Sequence, residues 1–142
     1  MALTFTRLHS TFAAEVGPVD LRTAADRRTL DEIRAAMDLF AVLVFRNQPF
    51  ADDEQLAFAR RLDGALHEKT GSAVLKKNRF GNEALTDISN VDESGGLLKA
   101  DDRRRMYALG NRLWHTDASF QDPPGRYSML SARVVPPVRA DT

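Results

Sequence analysis

Residues 41–45, AVLVF, form an uninterrupted apolar run set between two helical patterns, and this unit limits the fold more than any other stretch. A short run of this kind, rich in β-branched residues, reads as a strand covered on both faces. Asn47-Gln48-Pro49 ends it. Ahead of it, Thr29-Leu30-Asp31-Glu32 fits a capping box, in which the threonine oxygen accepts a backbone N–H and the glutamate reaches back. Leu30, Ile33, Met37 and Phe40 then recur at helical spacing. Behind it, a helix starting at Asp52 or Asp53 carries Leu56, Ala59 and Leu62 inward, and Gly64 is its stop. Helices beside a covered strand place the chain in the α+β class. Its 142 residues, 43% of them apolar, suffice for one modest domain with a core.

From about 64 to 110 the periodicity fades among glycines and polar clusters such as DESGG, the pattern either of a lid or binding loop or of a disordered segment. ALTDISNV (84–91) is the one strand expected inside it, and YSMLSARVV (127–135) is another, stopped by Pro136-Pro137. DDRRR (101–105) reads as a solvated, self-compensating face, with an anion site as the lesser alternative. With 20 basic and 20 acidic residues the net charge is zero, which gives no field to gather nucleic acid or an anionic membrane. No apolar run has the length of a membrane span, and the first residues lack the apolar core of a signal peptide. A cytoplasmic location fits. The chain has no cysteine, so any metal is held by His, Asp or Glu.

Residues 112–121, RLWHTDASFQ, place one of three histidines two residues before an aspartate and directly after the single tryptophan. On an extended strand, side chains two apart share a face, so His115 and Asp117 project together. An imidazole nitrogen and a carboxylate oxygen are two of the three ligands of the facial triad that binds ferrous iron and leaves adjacent positions open. Spacing alone favours a blander reading, a histidine at a strand end bonded to a nearby aspartate. Trp114, as a lone tryptophan, reads as core. The remaining histidines, His9 and His67, sit in no convincing strand, and His67 reads as an exposed loop residue, with a substrate-facing role as the lesser alternative. No Gly-rich phosphate loop or G-x-S-x-G turn is present.

Four blocks reverse the balance: AVLVFRNQPF (41–50), EQLAFARRL (54–62), DISNV (87–91) and NRLWHTDASFQDPPGRYSMLSARVVPP. In this order they resemble the Fe(II)/2-oxoglutarate dioxygenases of the taurine and 2,4-dichlorophenoxyacetate dioxygenase family. LVFRNQP, DISNV and RYSMLSA bring the chain closest to the 2,4-dichlorophenoxyacetate branch. The resemblance implies a double-stranded β-helix, a jelly roll, with flanking N-terminal helices. It implies His115 and Asp117 as two iron ligands, and Thr142 as the threonine that hydrogen-bonds 2-oxoglutarate. Asn111 matches a substrate-pocket asparagine of the taurine branch. A lysine that meets the substrate carboxylate in the phenoxyacetate branch falls at Ser72 here, with Lys69 close enough in sequence to substitute as a flexible point charge.

The family's second histidine ligand and its oxoglutarate-binding arginine fall beyond residue 142. Residues 1–142 are therefore expected to be the N-terminal portion of a single dioxygenase domain, cut inside the barrel and inactive alone. The complete enzyme would use Fe(II), 2-oxoglutarate and dioxygen. It would cleave a small-molecule aryloxyalkanoate, such as 2,4-dichlorophenoxyacetate, to a phenol and glyoxylate, with succinate and carbon dioxide as coproducts. A sulfonate or another small carboxylate as substrate, and a non-catalytic iron-binding homologue, stay open as alternatives, as does homo-oligomerisation of the full-length form.

Overall fold

The computed structural model describes residues 2–67, 81–92, 94–117, 119 and 121–135, with backbone alone at 107, 108, 111 and 112. These fall into two compact units: one holds residues up to 67 together with 81–87, the other holds those from 88 onward.

The first unit is built on a three-stranded sheet, β1 (Thr4–Arg7), β2 (Ala14–Gly17) and β3 (Leu43–Phe45), in the order β1-β2-β3. β1 and β2 pair antiparallel with Thr4 opposite Gly17, whereas β2 and β3 pair parallel with Ala14 opposite Leu43. A parallel pair needs a long crossover, and helix α1 (Arg27–Phe40) supplies it. Along β2, Ala14 and Val16 are buried and their neighbours are half-buried, the alternation of a strand with one face on a core. Ala14, Ala36 and Phe40 form that core, with Phe5 and Leu43 packed against it and the Phe5 and Phe40 rings 6.1 Å apart.

The structure shifts two boundaries. The cap of α1 is Asp26, whose Oδ1 accepts the Thr29 N–H at 2.9 Å, so Thr29 lies in the first turn and Thr29–Glu32 is not the capping box. Glu32 is occupied by Arg28, at 2.9 Å. β3 starts at Leu43 rather than residue 41, because Ala41 terminates α1 with φ 60° and its N–H still donates to Met37 O. Its residues are half-buried, as suits the edge of the described sheet, where a strand covered on both faces was expected.

An alanine at positive φ is strained by about 1–2 kcal/mol, more than the ~0.4–1 kcal/mol that glycine loses in the unfolded chain. Ala41 is exposed, so removing its Cβ forfeits no packing. Ala41→Gly is therefore expected to stabilise the protein by about 0.5 kcal/mol, read as a higher denaturant midpoint at unchanged slope; a lower midpoint would refute the strain argument.

Helix α2 (Asp52–Asp63) starts and stops where its sequence signals lie. Asp52, Asp53 and Glu54 occupy its first turn and Arg60 and Arg61 its last, matching the helix dipole. Ala51 has no side-chain acceptor, and only the returning half of a capping box forms, Ala51 N–H to Glu54 Oε2 at 2.8 Å. Leu56 and Leu62 are buried as expected, Ala59 is half-buried, and Phe58, outside the expected set, is the deepest, its ring 6.1 Å from that of Phe50. Arg34 of α1 donates to Leu62 O at 2.7 Å and Arg61 O at 3.3 Å, satisfying carbonyls that a helix end leaves without partners. Arg61 in turn donates to the carbonyls of Leu21, Arg22 and Ala24 at 2.9–3.0 Å, and Gln48 bridges Leu21 N–H, Val19 O and Arg46 O, each at 2.9 Å. These side chains hold the loop between β2 and α1 without secondary structure.

In the second unit, residues 90–92 and 94–98 close on each other. The Val91–Leu97 bridge and the Leu98 N–H to Asn90 O bond, 2.8 Å, join them. Asp92 accepts from Ser94 Oγ at 2.6 Å, Ser94 N–H at 2.8 Å and Gly96 N–H at 3.0 Å. The Ser94 hydroxyl first, and then the two amides, hold the Asp92 carboxyl below its ordinary pKa. Helix α3 (Arg103–Ala108) follows, entered through Asp102, which pairs with Arg104 at 3.0 Å, the self-compensation expected of DDRRR. Apart from the single bridge, the strands expected at 84–91 and 127–135 do not form among the described residues. A strand exists only through a paired backbone, and no described segment pairs with 127–135. No described helix is long and apolar enough to cross a membrane.

Candidate metal centre

Helix α3 runs into a 3-10 turn, Leu109–Arg112, closed by the Leu113 N–H to Gly110 O bond at 3.0 Å. The backbone then continues without regular structure through His115 to a turn at Asp117. The strand geometry expected for this pair is therefore absent, yet its consequence is present. His115 Nε2 lies 3.3 Å from Asp117 Oδ1.

Local contacts, not a pleat, aim the two groups. His115 Nδ1 is 2.8 Å from the Leu113 carbonyl oxygen. A carbonyl only accepts, so Nδ1 bears the hydrogen and donates it. In the neutral ring Nε2 is then the bare nitrogen, and it is the one that faces the aspartate. On the other side, Ser128 Oγ donates to Asp117 Oδ2 at 3.2 Å, which leaves Oδ1 turned toward the imidazole. A nitrogen lone pair and a carboxylate oxygen at this separation repel unless a proton or a cation lies between them. As a simple ion pair the contact would contribute little, since the side chains are 47% and 64% exposed. As a mixed nitrogen and oxygen donor pair it suits a divalent transition metal such as Fe(II), with the imidazole orientation fixed by a backbone carbonyl as metal-bound histidines require.

The other residues named from the sequence are not brought to this point. No group of three His, Asp or Glu side chains suited to a metal occurs among the described residues. His9 Nδ1 lies 3.0 Å from Thr11 Oγ1 with its ring against Phe12, and His67 is exposed, as its loop position suggested. Asn111 belongs to the 3-10 turn by its backbone, and its side chain lies outside the described part. Lys69, Ser72 and Thr142 lie outside the described residues. Trp114 is not core: it is fully exposed, because the irregular backbone turns it outward while His115 is held by Leu113. Sequence reasoning missed Ser128 and the Leu113 carbonyl. The first is eleven positions from Asp117 and gives no periodic signal; the second is a backbone atom that only local conformation reveals.

Comparison with known proteins places the whole chain. The family described as "Taurine catabolism dioxygenase TauD, TfdA family" matches residues 4–142. The chain is 44% identical over 142 residues to an alpha-ketoglutarate-dependent 2,4-dichlorophenoxyacetate dioxygenase of Cupriavidus pinatubonensis, covering 100% of this chain and 49% of that protein. A protein of the same name from a Burkholderia species is 41% identical, with 100% and 48% covered. Among solved structures, that of AAD-2 in complex with Mn(II) and N-oxalylglycine superposes with a TM-score of 0.77 at 36% identity, over 96% of this chain and 44% of that one. The chain thus spans about half the length of the curated relatives it matches. A match that takes in the first strand, both long helices and the His115–Asp117 pair leaves one conclusion: this chain belongs to the TauD, TfdA family of dioxygenases.

Proposed function

We infer that this chain is the N-terminal portion of a single Fe(II)- and 2-oxoglutarate-dependent dioxygenase domain whose full-length form completes a double-stranded β-helix. Its substrate is an aryloxyalkanoate such as 2,4-dichlorophenoxyacetate. The observation that carries the reading is the approach of His115 Nε2 to Asp117 Oδ1, with Nδ1 tied to Leu113 O. The names of the two relatives and the Mn(II) and N-oxalylglycine complex of AAD-2 support it.

His115 and Asp117 would hold the iron, with the third protein ligand and the oxoglutarate-binding arginine supplied from beyond residue 142. Ferrous iron, when bound, supplies dioxygen activation coupled to decarboxylation of 2-oxoglutarate to succinate and carbon dioxide. The chain's own groups orient that chemistry. The Leu113 carbonyl keeps the hydrogen on Nδ1 so that Nε2 stays a ligand. Thr142 would hydrogen-bond 2-oxoglutarate, Asn111 would line the substrate pocket, and Lys69, with Ser72 at the position of the branch's lysine, would meet the substrate carboxylate. That chemistry would leave one oxygen atom of dioxygen in succinate and the other as a hydroxyl on the ether carbon of the substrate, in place of a hydrogen. The hemiacetal so formed would collapse to a phenol and glyoxylate, the proton of the new hydroxyl passing to the departing phenolate.

Incubating the full-length enzyme with Fe(II), 2-oxoglutarate and a panel of aryloxyacetates, sulfonates and simple carboxylates tests this reading. Succinate and phenol are expected in equal amounts with the aryloxyacetates. Turnover confined to a sulfonate would overturn the substrate, and succinate from no member of the panel would overturn the enzyme.

A further inference from the structure

We propose that Ser128 is a positioning residue for the metal site, a role that rests on His115 and Asp117 being its ligands. The Ser128 hydroxyl donates to Asp117 Oδ2 at 3.2 Å, while the other carboxylate oxygen, Oδ1, is the one 3.3 Å from His115 Nε2. The two oxygens are therefore divided between two tasks. Oδ2 is engaged by a hydroxyl, and Oδ1 is free to bind through one atom. A carboxylate held in this way takes one coordination position instead of two. That matters for a centre that has to keep three adjacent positions open for a chelating cosubstrate and dioxygen. His115 is steadied in the same manner from its far side by the Leu113 carbonyl. Each ligand thus has one atom for the metal and one for a protein partner, the pattern by which outer contacts set ligand orientation and affinity. Asp117 is 64% exposed and belongs to a turn, and among the described contacts the Ser128 hydroxyl is the one that restrains Oδ2.

The test is Mn(II) affinity of the full-length enzyme without cosubstrate, read from the electron paramagnetic resonance signal of free Mn(II). Ser128→Ala is expected to weaken binding by about 10–100-fold, and Ser128→Thr, which keeps the hydroxyl, to stay near the parent. Ser128→Val matches threonine in shape without the hydroxyl, so if the alanine variant does not fold, the threonine and valine pair decides. Equal affinity of those two, or an unchanged Ser128→Ala, overturns the proposal. His115→Ala measured alongside separates this from the underlying reading. Its loss of binding with Ser128→Ala unchanged removes only the role of Ser128, whereas unchanged binding in His115→Ala removes the ligand assignment itself and this role with it.

Discussion

His115→Ala in the full-length enzyme is expected to lose Fe(II) binding and to lower oxoglutarate-dependent succinate formation by well over the ~100-fold that loss of an outer partner of a metal ligand already costs. The size follows from the donor set. His115 and Asp117 are brought together as two metal donors, and no group of three occurs among the described residues. Removing the imidazole leaves an exposed carboxylate that binds a divalent cation no better than any surface aspartate. His115→Gln is expected to be nearly as severe, because an amide keeps size and polarity but offers no lone pair on nitrogen. Iron content after anaerobic loading and succinate yield are both measured. Retention of stoichiometric iron in His115→Ala would remove His115 from the ligand set.

The second large effect concerns the 142-residue chain made by itself. In the second unit Trp114 is fully exposed, and Leu113, Leu130, Val134 and Val135 range from 72% to 87% exposed. Covering each such side chain contributes about 1.5–3 kcal/mol, so leaving them in water removes much of the stabilisation a domain of this size relies on. The same unit has one isolated bridge and no described strand to organise it. An uncovered apolar surface of this kind favours association. The isolated chain is therefore expected to aggregate or to stay partly unfolded, to bind a hydrophobic dye and to show no turnover. A soluble monomer with one sharp thermal transition would contradict this.

Sequence and structure agree where periodicity is long and disagree where pairing decides. Both long helices were legible because Leu30, Ile33 and Phe40, and then Leu56 and Leu62, repeat at helical spacing, and because Gly64 marks a stop. The start of α1 was misplaced by one turn. Asp26 and Thr29 are both good caps, and only the hydrogen bond from Thr29 N–H to Asp26 shows which one acts. β1 and β2 are four residues each, too short for an alternation to stand out, and β2 is defined by its two partners rather than by its own sequence. Conversely, YSMLSARVV has a strand's composition, yet no strand is assigned to it among the described residues. At the site, the spacing of His115 and Asp117 was readable, while the means of their convergence was not. A backbone carbonyl at Leu113 and a hydroxyl at Ser128 do what strand geometry was expected to do.

Everything chemical here depends on a shared metal. Anomalous diffraction from crystals of the full-length enzyme soaked with Mn(II) locates that ion without reference to activity. The account predicts one strong peak within bonding distance of both His115 Nε2 and Asp117 Oδ1. A peak bound elsewhere, or a structure in which those two atoms point away from each other, would contradict it.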